Sequence, residues 1–219
     1  TVEGDSVGAL VDVSARAHLM IVGARGRGGF LGRVLGSVSM ALPAHAQCPT
    51  IVVPAEAAVT DGPVVVGVDG SHHARRAALH AAQEAVALGA PLLLVTALQT
   101  PDSGEYWFPL QPRDASELIE RHRAELDEEL QKEVAWIAEQ VPGVDVSGEV
   151  LVGVAAAALH DAGSESSAQL LVVGSHGRGR IASALLGSVS RATLHGAQRP
   201  VMVVPPLSDE RVEEGETAR

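Results

Sequence analysis

The chain has 219 residues, enough for one large domain or for one domain and part of another. Hydrophobic residues make up 46% of it and aromatic residues only 2%, so the core must consist of Ala, Val and Leu, which suits helices packed closely on a buried sheet. The formal net charge of −11 argues against general binding to nucleic acid or to anionic membranes.

Residues 1–54 contain two short apolar runs separated by a glycine-rich segment. The first run, at 20–22, leads directly into Gly23-Ala24-Arg25-Gly26. Nine residues later, Gly36-Ser37 opens a helix-like stretch that ends before TIVVP at 50–54. Residues 55–62, AEAAVTDG, predict a short linker.

Cys48 is the only cysteine, which excludes an intrachain disulfide and a cysteine-based zinc site and makes a reducing cytoplasm the default location. Because it lies beside Pro49 and just before an apolar strand, it predicts a buried structural thiol. No apolar run is long enough to span a bilayer, and the N-terminus has no signal-peptide pattern. We therefore expect no membrane partner.

A strand, a helix and a second strand follow the linker. The run PVVVGVD at 63–69 predicts a buried strand that ends in Asp69. Ser71 can cap the next helix, which is expected to stop at Gly89, before the strand PLLLVTA at 91–97.

Residues 99–112 predict a loop, since they carry prolines and most of the aromatic residues. The cluster Tyr106-Trp107-Phe108 is interpreted as loop packing or an interface patch, with a lid over a ligand as the alternative. A long amphipathic helix is then expected from Asp114 or Ser116 to about Glu139.

The last third of the chain repeats the alternation of strands and helices. The predicted elements are a strand at 144–153, an alanine-rich helix from Val154, a strand at 170–174, a helix at 184–197, a strand at 201–204 and a disordered acidic tail at 206–219.

Strands that are continuous Val/Leu runs and alternate with helices predict an α/β fold, with an open five-stranded parallel sheet covered by helices on both faces. Sheets of this kind bind ligands at the carboxyl ends of their strands, where the strand order reverses. If the strands at 63–69 and 170–174 are neighbours, Asp69 and Gly174 face one crevice.

The glycine-spaced segment occurs twice. Gly174-Ser175-His176-Gly177 is followed by nine residues and then Gly187-Ser188, with the spacing of the first copy. A strand, a glycine loop and a helix N-terminus can together hold a phosphate chain, because main-chain N–H groups and the helix dipole point at the anion. Nothing upstream of residue 1 in this sequence supplies the first strands of the earlier copy, so 1–54 is expected to be a partial domain.

Several residues keep alternative interpretations. Ser188 can cap the last helix and still offer its hydroxyl to a phosphate, while Asp69 can be a turn residue instead of a ligand contact. Arg178 and Arg180 are either solvated or lie over an anion, and Arg25 and Arg27 make the loop of the first copy locally cationic as well. The helix histidines lack cysteine or carboxylate partners, so we predict no metal site from His72, His73 and His80.

Three segments together resemble the universal stress protein family: VVVGVDGS at 64–71, GSHGRGRIASALLGSVS at 174–190 and PVMVVP at 200–205. The pattern G-x2-G-x9-G-[ST] is typical of the nucleotide-binding branch of that family. The resemblance covers 63–205 as a complete domain and 1–54 as a partial one. It implies a Rossmann-like fold of the adenine nucleotide alpha hydrolase type and a tandem protein that lacks the front of its first domain.

The resemblance also implies a site for ATP, held with Mg²⁺. The residues that match the family's nucleotide contacts are Gly67, Val68, Asp69, Ala97, Val173, Gly174, His176, Gly177, Gly187, Ser188, Val189 and Ser190. In the partial domain Gly23, Gly26, Gly36 and Ser37 hold the matching loop positions, without a first-strand acid or an adenine wall. No catalytic residue and no protein metal ligand is assigned.

The leading hypothesis is a cytoplasmic ATP-binding module that regulates a stress response. A slow ATPase using His176 and Asp69 is one alternative, and an interaction module that binds no nucleotide is another. The family pairs domains through their last strands, so we expect Ile51–Val53 and Val201–Val204 to pair and a homodimer to form.

Overall fold

A computed structural model describes residues 5–25, 35–99, 112–177 and 186–206, and in the long helix it describes the side chains from Ser116 onward. Within these ranges, short runs of valine and leucine form a seven-stranded sheet with six helices packed on it. The helices are α1 Ser6–Ser14, α2 Ser37–His45, α3 His72–Leu88, α4 Pro112–Gln140, α5 Ala155–Glu165 and α6 Ser188–Gly196. The strands are β1 Met20–Gly23, β2 Thr50–Val53, β3 Val64–Gly67, β4 Leu92–Leu98, β5 Val146–Val152, β6 Leu170–Gly174 and β7 Val201–Val204.

The sheet has the order β1-β2-β7-β6-β3-β4-β5. Its last five strands are mutually parallel and all come from residues 63–205, which confirms the predicted open sheet. The predicted neighbours β3 and β6 are paired, with Val65 opposite Leu171. The strand order therefore reverses between these two strands, where an open parallel sheet forms its crevice.

The first two strands form a parallel pair that joins the same sheet through an antiparallel seam. Thr50 lies opposite Val203 and Ile51 opposite Met202. Val203 is completely buried in the seam, and β7 has a hydrogen-bonded neighbour on each side. Because both edges of β7 are used within one chain, a homodimer would need another surface, and the homodimer stays a prediction.

The linker lies between β2 and β3. It runs along the edge of the sheet at which β3 begins, and Val59 in it is fully exposed. Its last residue is fixed beside the start of β6, because the side chain amide of Gln169 donates to the carbonyl oxygen of Gly62 at 2.7 Å.

The caps of α3 confirm the sequence prediction. The hydroxyl of Ser71 accepts from the amide of Ala74 at 3.1 Å, and Gly89 ends the helix with a φ of 64°. The buried face of α3 consists of alanines, which brings the helix close to the sheet.

Two helix boundaries differ from the prediction. The long helix α4 begins at Pro112, upstream of the predicted Asp114 or Ser116, and proline is favoured in the first turn because it has no N–H to leave unpaired. The described part of the last helix begins at Ser188. The aromatic cluster 106–108 and the tail at 207–219 lie outside the described residues.

A partly buried ion pair attaches α4 to the start of α3. The guanidinium of Arg75 donates to both carboxylate oxygens of Glu133, at 2.7–3.1 Å, and lies 4.7 Å from the ring centre of Trp136. This hydrogen bonding to Glu133 raises the pKa of Arg75. The contact holds the helix that follows Asp69 against its neighbour. No helix in the described ranges is long and apolar enough to cross a bilayer.

Candidate nucleotide-binding site

A cavity of about 800 Å³ opens at the carboxyl ends of β3, β4 and β6. This volume lies in the upper part of the range of small-molecule sites, about 300–1,000 Å³. All of the residues proposed from the complete domain line it: Gly67, Val68, Asp69, Ala97, Val173, Gly174, His176, Gly177, Gly187, Ser188, Val189 and Ser190. The structure therefore brings these residues together, and their role as ligand contacts stays a prediction.

Asp69 follows the end of β3 and is oriented by the turn into α3. Its Oδ1 accepts from the amide of Ser71 at 3.0 Å. Its Oδ2 lies 2.7 Å from the point that a Cβ at Gly177 would occupy. A side chain at position 177 would therefore collide with the carboxylate, and glycine brings the main chain of the loop close to the acid.

Gly174 is enclosed by main chain on two sides. A Cβ there would lie 3.0 Å from the carbonyl oxygen of His176 and 3.2 Å from that of His73 in the first turn of α3. Neither neighbour is the end of a flexible side chain. Close packing of loop against helix therefore requires glycine at this position.

The far side of the loop is held by Ser190, which is buried in α6. Its hydroxyl lies 3.0 Å from the carbonyl oxygens of both Ser175 and Gly187 and donates to this pair. The amide of Gly187 donates to the same Ser175 oxygen at 2.8 Å. Ser190 thus fixes the loop against the start of α6, which is a positioning role.

The N-terminus of α6 faces the cavity. The helix itself supplies no acceptor for the amides of Ser188, Val189 and Ser190. The N-cap is Gly187, without a side-chain hydrogen bond, so the interpretation of Ser188 as the cap is wrong. Ser188 is the exposed first residue of the helix.

His176 contributes polar atoms beneath the loop. Its Nδ1 lies 3.2 Å from the hydroxyl oxygen of Ser175, and its ring centre lies 6.1 Å from that of His73. Its Nε2 is buried without a hydrogen-bond partner in the described part of the chain. A buried imidazole nitrogen in a cavity wall can bind water or a ligand oxygen.

The other end of the cavity is apolar. Val95 and Ala97 of β4 and Leu159 of α5 line it. A Cβ at Gly67 would lie 2.9 Å from a methyl carbon of Leu159, so glycine lets α5 pack directly on β3. Small and aliphatic side chains leave a slot suited to a flat, apolar group such as a base.

The first glycine loop differs in what surrounds it. Ser37 lines the same cavity, whereas Gly23 and Gly36 are not part of its lining. Gly26 lies outside the described residues, as do Arg27, Arg178 and Arg180. Of the three described positions proposed from the partial domain, the structure brings only Ser37 to this cavity.

Sequence reasoning missed one wall of the cavity. Arg191 of α6 also lines the cavity. The wall itself is formed by helix α2 of the first copy, which contributes Met40, Ala41, Ala44 and His45. No local pattern in the sequence indicates this, because the wall depends on the antiparallel seam between β2 and β7.

The fold and the cavity define an α/β protein with an open sheet and a ligand crevice at the point where its strand order reverses. The sequence model of the universal stress protein family matches residues 1–54 and 62–205. The chain therefore belongs to this family. The recognition from sequence is confirmed, while the tandem arrangement of domains stays a prediction.

Curated relatives and solved structures agree with this family. One universal stress protein of Mycobacterium tuberculosis strain H37Rv is 38% identical over 198 residues, which is 89% of this chain and 64% of that protein. A second from the same strain is 34% identical over 207 residues, 91% of this chain and 62% of the relative. The chain thus spans a little under two thirds of the length of these relatives.

Two solved structures share the fold. The crystal structure of a universal stress protein from Archaeoglobus fulgidus DSM 4304 matches with a TM-score of 0.64 and 23% identity, covering 94% of this chain and 67% of the other. A functionally unknown protein from Pseudomonas aeruginosa PAO1 matches with a TM-score of 0.65 and 18% identity, covering 99% and 73%.

Proposed function

We propose that the crevice binds an adenine nucleotide, ATP with Mg²⁺, and that the protein acts as a nucleotide-dependent regulatory module in a stress response. The observation that carries this proposal is the approach of Gly177 to Asp69. A glycine loop whose main chain lies against a carboxylate, at the switch point of an open sheet, has the groups needed for a sugar and for a polyphosphate.

The phosphate end of the ligand meets main-chain donors. The loop at 174–177 and the first turn of α6 both border the cavity, and the hydroxyl of Ser190 fixes them relative to each other. Amides at a helix N-terminus favour an anion because they lack intrahelical acceptors and lie at the positive end of the dipole. Glycine at 174 lets the loop pack against α3, and glycine at 177 lets the main chain of the loop lie against Asp69.

The adenosine end lies toward β3 and β4. Asp69 accepts hydrogen bonds from ribose hydroxyls, and the base fits the apolar slot beside Ala97 and Leu159. Within the described ranges no group of three His, Cys, Asp or Glu side chains is arranged to hold a metal. We therefore assign Mg²⁺ to the phosphate oxygens and water, as is usual for this ion.

Binding is favoured over turnover. The segment 174–190 contains no lysine, so it lacks the group that P-loop enzymes use against the β- and γ-phosphates. The carboxylate of Asp69 is already held by the turn into α3 at its Oδ1. The nucleotide is then a signal whose presence changes the conformation or the partner of the protein.

The proposal includes a cytoplasmic location. Cys48 is buried with 5% of its surface exposed, and burial raises the pKa of its thiol. A protonated, buried thiol reacts slowly and does not form disulfides, which suits a structural role in a reducing compartment.

Calorimetric titration of the intact chain with Mg-ATP tests the proposal. We expect binding, and we expect Asp69→Asn to weaken it at least about tenfold, because the asparagine keeps the turn and removes the charged acceptor. Asp61→Asn, in the exposed linker, removes the same charge elsewhere and serves as the control. No heat of binding at millimolar ATP would disprove the proposal.

A further inference from the structure

The antiparallel seam brings the end of α2 to the ligand crevice of the other domain. Thr50 at the start of β2 pairs with Val203 near the end of β7. The carbonyl oxygen of Val204 in turn accepts from the amide of Ser175 at 2.8 Å, in the glycine loop. Since only a few residues separate His45 from Thr50, the last turn of α2 lies at the carboxyl edge of β6 and β7.

One face of α2 forms a wall of the cavity. Its lining residues recur at the spacing of three and four that defines a single helix face: Ser37, Met40, Ala41, Ala44 and His45. The three central ones are apolar. His45 is the last residue of the helix and its side chain is exposed, so it lies at the mouth of the cavity.

The basic side chains of the lining come from both copies. Arg191 lies in the first turn of α6, where its amide donates to Gly187, and it lines the same cavity. When the two glycine loops are aligned, Arg191 corresponds to Met40 and His45 corresponds to Gly196. The cavity therefore combines an arginine from one copy with a histidine from the other.

We propose that His45 binds the anionic, phosphate end of the nucleotide, so that the site of the complete domain is a composite of both copies. This inference rests on the proposed function of the crevice. A polyphosphate chain carries several negative charges, so it needs compensating positive charge or hydrogen-bond donors. His45 supplies a donor from across the seam.

Nucleotide selectivity separates this role from a structural one. A basic residue in the last turn also complements the helix dipole, and that role would affect stability equally with and without ligand. Loss of a phosphate contact would instead lower the affinity for ATP and leave the affinity for adenosine unchanged.

The experiment measures the affinity of the intact chain for Mg-ATP and for adenosine in the same buffer. We expect His45→Ala to weaken ATP binding about two- to fivefold, as for an exposed charge contact, with adenosine binding unchanged. His45→Lys should restore ATP affinity. His195→Ala, an exposed histidine of α6 outside the lining, should change neither.

An equal loss for ATP and adenosine, or no loss for ATP in His45→Ala, overturns the inference while the proposed function stands. A wild-type chain that binds neither ligand overturns both.

Discussion

The two glycine loops have nearly the same internal hydrogen bonds and different surroundings. In the first copy Ala24 donates to Val53 at 2.8 Å, and Gly36 donates to Ala24 at 2.9 Å. In the second copy the equivalent bonds, from Ser175 to Val204 and from Gly187 to Ser175, are both 2.8 Å. Each loop is also fixed by a buried serine hydroxyl of the following helix, Ser39 or Ser190.

The difference lies in what each loop meets. The second loop is packed against α3 and faces Asp69, whereas a Cβ at Gly23 would meet, among the described residues, only the carbonyl oxygen of Arg25, at an ordinary 3.5 Å. The conformation of the loop is therefore determined locally, by the glycines and the serine. The site additionally requires β3 and the start of α3, which approach the second loop alone among the described residues.

Substituting the equivalent glycines of the two loops should give the largest difference in stability and ATP affinity between the two copies. Gly174→Ala forces a methyl group to within 3.0–3.2 Å of two carbonyl oxygens, so the loop or α3 must shift. We expect a loss of about 1–3 kcal/mol in the free energy of unfolding and at least about a tenfold loss in ATP affinity. Gly23→Ala, the matched control, should change both little.

Urea unfolding and calorimetry of the two variants give the measurement. If the alanine at 23 proved as harmful to ATP binding as the one at 174, the two loops would be functionally equivalent and the distinction drawn from their surroundings would be wrong.

Removing the serine hydroxyls should separate stability from binding. Ser39→Ala and Ser190→Ala each delete a buried hydrogen bond, but Ala24 and Ser175 keep a second donor on the same carbonyl oxygen. We expect a similar cost of about 0.5–1.5 kcal/mol in each. Only Ser190→Ala should also weaken ATP binding, by a few-fold, because the loop that Ser190 holds borders the end of the cavity proposed for the phosphates.

Unfolding curves for both variants, followed by ATP titration, test this prediction. Weaker ATP binding in Ser39→Ala alone would contradict it.

The smallest expected effect concerns pH. Burial lowers the pKa of His160 below its ordinary value, and hydrogen bonds to the main chain of Ala192 and Thr193 and the charge of Asp161 oppose this only in part. In the aligned first copy Val11 occupies this position. Because the unfolded chain takes up a proton more readily than the folded one, stability falls as the pH drops through the ordinary value of about 6.5.

His160→Val should therefore reduce the loss of stability between about pH 8 and about pH 5.5 by roughly a few tenths of a kcal/mol. Urea midpoints at the two pH values provide the measurement, with the exposed His195→Ala as the control. A variant whose acid sensitivity equals that of the wild type would contradict the expectation.

Much of the fold could be predicted because its determinants are local. The runs at 64–67 and 170–174 are short, aliphatic and bounded by glycine, and Ser71 and Gly89 mark the ends of α3. The proximity of Asp69 to the second loop could also be predicted from the sequence, since both come directly after neighbouring parallel strands.

The remainder depends on contacts between distant parts of the chain. The wall formed by Met40 and His45 exists only because β2 pairs antiparallel with β7, and a change of one residue in that register would move it. The cap of α6 was misassigned for a local reason, because Gly187 adopts the extended cap conformation that serine was expected to take.

The linker has a consequence for proteolysis. Val53 and Val64 end and begin strands at the same edge of the sheet, separated by β7 and β6, so three strand spacings of about 4.8 Å divide them. Ten residues can cover that distance without tension. A protease cleaving at exposed Val59 would leave two polypeptides held together by the hydrogen bonds and buried side chains of one shared sheet.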